Sequence, residues 1–140
     1  MEIAGKKVLL TGATGGIGRS IASTLAAAGG RLILSGRSEE TLRGLASSLP
    51  GEGHEALAVD LGQPGAALRL AAEAGEVDVL VANAALPSTG RLTELTEEQV
   101  SRMLRINLEG PILIAQSLLP GMLERRRGKL IMIGSLSGKA

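Results

Sequence analysis

The residues best suited to chemistry stand in a glycine-rich run, Thr11-Gly12-Ala13-Thr14-Gly15-Gly16-Ile17-Gly18, which follows an apolar stretch and opens into a helical pattern. Glycines in such a place permit a tight turn and let the backbone approach a pyrophosphate, which then rests on amides at the helix N-terminus. A glycine cluster alone would serve equally as a tight strand-to-helix turn. Strand, glycine turn and helix in this order favour nucleotide binding. A second apolar run ends Leu34-Ser35-Gly36-Arg37-Ser38. Where a NAD-binding chain commonly places a carboxylate for the ribose hydroxyls, Gly36 stands instead and Arg37 follows. A planar guanidinium pairs with a 2′-phosphate and stacks on adenine, so the Ser35 to Arg37 end favours NADP over NAD; a solvated turn arginine is the plainer alternative.

Other polar residues close later runs. Asp60-Leu61 follows the third and Asn83-Ala84-Ala85 the fourth, while Ser135 lies just past the fifth and Asn107 falls in a helical stretch. Taken singly, these read as an Asx turn, a loop asparagine, a strand-end hydroxyl and an indifferent helix asparagine. Cysteine is absent and His54 is the only histidine, which excludes disulfides, thiol chemistry and the usual zinc clusters, so no metal is expected. His54 is expected to sit exposed before the third strand. Arg125-Arg126-Arg127 suits the negative end of a helix better than nucleic acid.

The elements that must position these residues follow from hydrophobic pattern. Five short runs (7–10, 31–34, 56–59, 77–81 and 130–133) are mostly apolar at consecutive positions, as in parallel strands covered on both faces. Between them, Ile17, Ile21, Leu25 and Ala28 predict one helical stripe ending at Gly29-Gly30. Leu42, Leu45, Ala46 and Leu49 predict a second after Ser38, and Ala67, Leu70, Ala71 and Ala74 a third after Pro64. Thr96-Glu97-Glu98-Gln99 is a capping box opening a long helical region, which Gly110-Pro111 and Pro120-Gly121 are expected to bend or break. Alternating strands and helices imply an α/β, doubly wound parallel sheet of Rossmann type, about five strands with flanking helices in a single domain over 1–140. Ligands bind beyond the carboxyl ends of such strands, where the polar residues above fall.

Composition narrows the partners. The 140 residues are 44% hydrophobic and 21% charged, as in a folded globular chain, and can bury roughly 70% of the surface of the unfolded form. A net charge of +1 from 15 basic and 14 acidic residues gives no field to attract nucleic acid or a membrane surface. No charged-then-apolar leader follows Met1 and no apolar run reaches membrane-spanning length, so a cytoplasmic location is expected.

Gly12, Gly16 and Gly18 give Thr-Gly-x-x-x-Gly-x-Gly, and here the chain resembles the short-chain dehydrogenase/reductase family. Gly12, Gly15 and Gly18 also satisfy the Thr-Gly-x-x-Gly-x-x-Gly of its extended, epimerase-like branch. The stretches Leu92 to Glu98, Ile106-Asn107-Leu108-Glu109-Gly110, Leu119-Pro120-Gly121-Met122 and Gly128-Lys129-Leu130-Ile131 follow the main branch instead. That resemblance implies NADP-dependent interconversion of a small-molecule alcohol and a carbonyl. Asp60, with Leu61, would accept from the adenine amino group. Asn83 would tie the central strands together, with Ala82 and Ala85 departing from the family's Asn-Asn-Ala-Gly, and Ala84 and Ala85 would leave room for the cofactor ribose. Asn107 would bend its helix and free a carbonyl that holds a relay water. Ser135 matches the serine that hydrogen-bonds the substrate oxygen, with Ser137 as a rival.

The family's proton donor is a tyrosine whose pKa is lowered by a lysine, in Tyr-x-x-x-Lys, and this chain has no tyrosine, phenylalanine or tryptophan. Only five residues follow Ser135, so the sequence is expected to stop short of that motif, with the C-terminal part of the family domain absent after the fifth strand. Weak NADPH binding without turnover, an exposed sheet edge and self-association, as in a homo-oligomer, are then expected. A noncatalytic NADP-binding regulator is the alternative from another class; a sugar-nucleotide epimerase is disfavoured by the Asn107 and Ser135 contexts. Substrate contacts would come partly from the loop Leu86 to Arg91.

Overall fold

A computed structural model describes residues 2–87 and 91–135. Its elements run in the order β1 (Lys7–Thr11), α1 (Gly16–Ala27), β2 (Arg31–Gly36), α2 (Glu39–Ser48), β3 (Glu55–Ala58), α3 (Ala66–Ala74) and β4 (Val79–Ala82). A short 3-10 turn at Leu92–Glu94, α4 (Glu97–Leu104), a π-helical turn at Arg105–Glu109, α5 (Gly110–Glu124) and β5 (Lys129–Met132) follow. The strands form one sheet, all neighbours parallel, in the order β3-β2-β1-β4-β5. This is the doubly wound Rossmann-type arrangement, and the order reverses between β1 and β4.

Two apolar layers sandwich the sheet. Side chains alternate across a strand, so Val8 and Leu10 of β1 join Leu32, Leu34, Val79 and Val81 under α1 and α2. Leu9, Ile33 and Leu80 face the other way, under α3 and α5 with Leu70, Ile114 and Leu118. Without aromatic rings the core is filled by aliphatic side chains and many alanines, and Ala67, Ala71 and Ala74 face the layer that α5 also joins.

The face of α1 differs from the expected stripe. Gly18, Ala22 and Ala26 are its buried residues, Ile21 and Leu25 flank them, and Ile17 is 64% exposed. Small residues let the helix axis approach the sheet, and the first turn opens on solvent, so the larger Ile17 is left outside. In α2, Ser38 is the N-cap, its hydroxyl accepting from the Thr41 amide at 3.3 Å. The Thr96–Gln99 capping box forms at the start of α4. The irregularity after it falls at the π-helical turn, one turn earlier than the glycine and proline pairs suggest. Pro111 lies in the first turn of α5, where its missing N–H is tolerated, and α5 continues through Pro120-Gly121.

At the opposite end of the sheet from the strand carboxyl termini, the arginine run stands at the C-terminal end of α5, where Arg125 is the C-cap residue, and the side chains of Arg125 and Arg127 also act as pins. Arg125 donates to Glu76 Oε1 at 2.8 Å and to the Val77 carbonyl at 3.3 Å, and Arg127 to Asp78 Oδ1 at 3.0 Å. His54 is half-buried, not exposed. Its Nδ1 accepts from the Leu32 amide at 3.2 Å, which leaves Nε2 to donate to the Pro50 carbonyl at 3.0 Å and pins the α2–β3 loop to β2. No helix among the described residues is long and apolar enough to cross a membrane.

Candidate functional site

A cavity of about 710 Å³ opens at the carboxyl ends of β1, β2, β3 and β4, around the reversal of strand order. The glycine loop forms one wall with Gly12, Thr14, Gly15, Gly16, Ile17 and Gly18. The loop's shape is fixed at two points. Gly12 has φ +65°, and a Cβ there would stand 2.8 Å from Ala84 Cα and 3.0 Å from Ala84 N. At Gly18 a Cβ would overlap the Gly12 carbonyl. Gly16, by contrast, faces open space. The N-cap residue Gly15 offers no side-chain cap and the first turn of α1 carries no carboxylate, so its amides remain available to an anion.

Thr11 is buried and does not line the cavity. Its hydroxyl accepts from the Asn83 and Ala84 amides at 3.1 and 3.0 Å, while Asn83 Nδ2 donates to the Thr11 and Gly12 carbonyls, both at 3.1 Å. These bonds lock the end of β4 to the glycine loop, and Asn83, Ala84 and Ala85 reach the cavity wall from there.

Ser35, Gly36 and Arg37 line the cavity past β2. Arg37 is exposed on the rim. Ser35 is 1% exposed, and its Oγ has no hydrogen-bond partner among the described residues. A buried hydroxyl without a partner carries a desolvation cost that a polar ligand in the cavity would relieve. That orphaned atom, the uncapped amides of α1 and the two glycine cradles fit a dinucleotide.

Asp60 and Leu61 line the cavity past β3, but Asp60 is already engaged. It accepts from the Gly62 amide at 3.0 Å, and Arg102 Nη2 bridges its Oδ1 and Oδ2 at 2.8 and 3.0 Å. Burial pushes this carboxyl upward; the Gly62 amide and the Arg102 guanidinium outweigh it and hold Asp60 below the ordinary carboxylate range. Arg102 is the residue that sequence reasoning missed, and it too lines the cavity with Leu86, Pro87 and Ile106. Its only signal was a cation on a helix leading into the site.

Asn107 sits in the π-helical turn, outside the cavity wall. Its side-chain amide makes a reciprocal pair with Leu86, accepting from the amide at 2.8 Å and donating to the carbonyl at 3.0 Å. Pro111, four residues on, has no N–H to offer the Asn107 carbonyl. Ser135 is exposed beyond β5 and does not line the cavity, and Ser137 and residues 88–90 lie outside the described residues. No group of three or more acidic or histidine side chains able to hold a metal occurs among the described residues.

Fold and cleft define a Rossmann-type nucleotide-binding protein. The chain belongs to the short chain dehydrogenase family, whose model matches residues 6–140. It is 39% identical to the Mus musculus dehydrogenase/reductase SDR family member 7B over 142 residues, covering 94% of this chain and 44% of the relative. It is 33% identical to the Escherichia coli 3-oxoacyl-[acyl-carrier-protein] reductase FabG, covering 99% of this chain and 58% of that one. Among solved structures it is similar to a Sphingobium yanoikuyae short-chain dehydrogenase in complex with NADPH, with TM-score 0.92, 30% identity, and coverage of 96% and 55%. A metagenomic short-chain oxidoreductase in complex with NADP gives TM-score 0.87 and 31% identity, with coverage of 100% and 66%. The chain spans about half the length of the curated relatives it matches.

Proposed function

We propose that residues 1–140 form the NADP(H)-binding domain of an oxidoreductase that interconverts an alcohol and a carbonyl. The orphaned Ser35 hydroxyl in a cleft of glycine loop and uncapped helix amides is the observation that carries this reading. When bound, NADPH supplies the hydride. In the chain itself, the amides at the start of α1 hold the pyrophosphate, Arg37 pairs with the 2′-phosphate, and Asp60 accepts from the adenine amino group. Ser35 closes its unmet hydrogen bond on the ligand. Asn107 contributes through its backbone carbonyl, which has no α-helical donor at Pro111, to hold a relay water. Ser135 steadies charge on the substrate oxygen.

With no tyrosine in these 140 residues, the proton donor of the family's mechanism is missing, and the chain alone binds without turning over. Exposed Ile112, Leu119 and Leu123 on α5 support assembly with a second copy. NADPH fluorescence, free of tryptophan interference, tests the binding claim. Wild type should prefer NADPH to NADH about tenfold or more, and Arg37→Ala should remove that preference while NADH binding is kept, a change of about 1.4 kcal/mol. Equal affinities in the wild type would overturn the NADP assignment, and sustained carbonyl-dependent NADPH oxidation would overturn the claim of inactivity.

A further inference from the structure

Helix α4 buries none of its residues, and its Leu104 is 52% exposed. Val100 and Met103 are only half-buried, so the helix needs a means of holding its place beyond apolar packing. Polar bonds supply it: Arg102 Nη2 to both oxygens of Asp60, and, from the adjoining turn, Arg105 Nη1 to the Gly62 carbonyl at 3.4 Å. The fit is close. Arg102 lies so flat on Gly62 that a Cβ there would overlap the guanidinium. The side chains of Arg102 and Asp60 are 29% and 31% exposed, which shelters the pair from much of the screening that weakens surface ion pairs.

Little more than one helical turn past Arg102 comes Asn107, whose side-chain amide is paired with the backbone of Leu86, a lining residue of the same cleft. Asp60, Arg102, the α4 junction, Asn107 and Leu86 therefore form a continuous polar strap along one side of the cavity. Arg102 also neutralises Asp60, the one carboxylate among the described residues of a wall that, on the NADP reading, has to admit a polyanion. We propose that Arg102 is a positioning residue, which clasps α4 to the end of β3 through Asp60 and thereby places the Asn107 turn beside the cofactor cleft.

The test compares Arg102→Ala, Arg102→Met, Arg102→Lys, Asp60→Asn and the double variant Asp60→Asn/Arg102→Ala in the full chain. Amide hydrogen exchange over 97–109 is measured without ligand, and NADPH affinity by fluorescence. Arg102→Met keeps an unbranched apolar stem beside Gly62 and removes the guanidinium, with its charge and its donors to Asp60. It should match Arg102→Ala, with exchange in 97–109 at least tenfold faster, protection in β1 and β2 unchanged, and NADPH bound about tenfold more weakly. Arg102→Lys should recover part of both losses, and the double variant should be no worse than the poorer single. Exchange and affinity unchanged in Arg102→Met, or single losses that simply add, would overturn the proposal. The affinity arm rests on the NADP reading, whereas the exchange arm does not. A wild-type chain that fails to bind NADPH sinks that reading and leaves the exchange result to decide Arg102.

Discussion

Strands β1, β2 and β4 carry the cleft, while β5 leads to Ser135, and all four belong to one sheet with different support. Leu9, Ile33 and Leu80 are fully or almost fully buried because α1 and α2 cover one face of the central strands and α3 and α5 the other. Leu130, Ile131 and Met132 of β5 are 39%, 42% and 49% exposed on an edge strand. What holds β5 is polar: backbone pairing with β4, Lys129 N to the Asp78 carbonyl at 3.0 Å, Ile133 N to the Ala82 carbonyl at 2.9 Å, and the Arg127–Asp78 pin. The cleft is thus built on packing, and Ser135 extends from a strand built on hydrogen bonds. A row of exposed apolar side chains on an edge strand is also a surface for association.

The largest effect should come from truncating matched residues in the two regions. Leu80 of β4 pairs in register with Leu130 of β5, so the two differ in burial more than in geometry. Leu80→Ala should cost about 2–5 kcal/mol in urea unfolding, and Leu130→Ala under about 1.5 kcal/mol. Comparable losses would show that β5 is packed as tightly as the centre. Ile131→Lys should lower self-association in sedimentation velocity with little change in the urea midpoint; an unchanged association constant would place the contact surface elsewhere.

Within the cleft the comparison sharpens to single glycines. Gly12→Ala meets backbone at Ala84 and a positive φ together, so it should destabilise by about 2–3 kcal/mol and abolish NADPH binding. Gly16→Ala has open space on the cavity wall and should leave the urea midpoint within about 0.5 kcal/mol while weakening NADPH binding. Loss of stability at Gly16 would mean that the loop is tighter than its geometry shows.

Much of this was legible in the sequence, for physical reasons that also mark its limits. Consecutive apolar residues in β1, β2 and β4 announced strands covered on both faces, and Ser38 and Thr96 announced helix starts through their hydroxyls. The face of α1 was misread because Gly18, Ala22 and Ala26 carry little hydrophobic signal, yet their smallness is what brings the helix onto the sheet. Gly110-Pro111 was expected to bend or break the helix, but a first-turn proline fits a helix without breaking it, and the irregularity is the π-helical turn around Asn107, where the family resemblance had put a bend. The Arg102–Asp60 pair joins residues 42 apart, and no periodicity or local motif links two charges across that distance. His54 was taken as exposed because a lone histidine in a loop gives no hint that Leu32 needs an acceptor.

The smallest expected effect tests whether charge helps to hold β5. Asp78 accepts from the Lys7 amide at 3.1 Å and from Arg127, and its own carbonyl receives Lys129, so it joins β1, β4 and β5 at the base of the sheet. Burial pushes its carboxyl upward, but the Lys7 amide bond and the charges of Arg127 and Lys6 outweigh it and hold it below the ordinary range. A depressed folded pKa means that the unfolded chain binds the proton more readily. The contribution is therefore fully present above the unfolded value of about 4 and is lost as pH falls through the lower folded value. Asp78→Asn should cost about 1 kcal/mol at pH 7, read from urea midpoints, and its difference from the wild type should shrink as both are taken below about pH 4. A gap that persists undiminished at pH 3 would assign the role of Asp78 to hydrogen-bond geometry alone, and no gap at either pH would leave β5 held by its backbone pairing with β4.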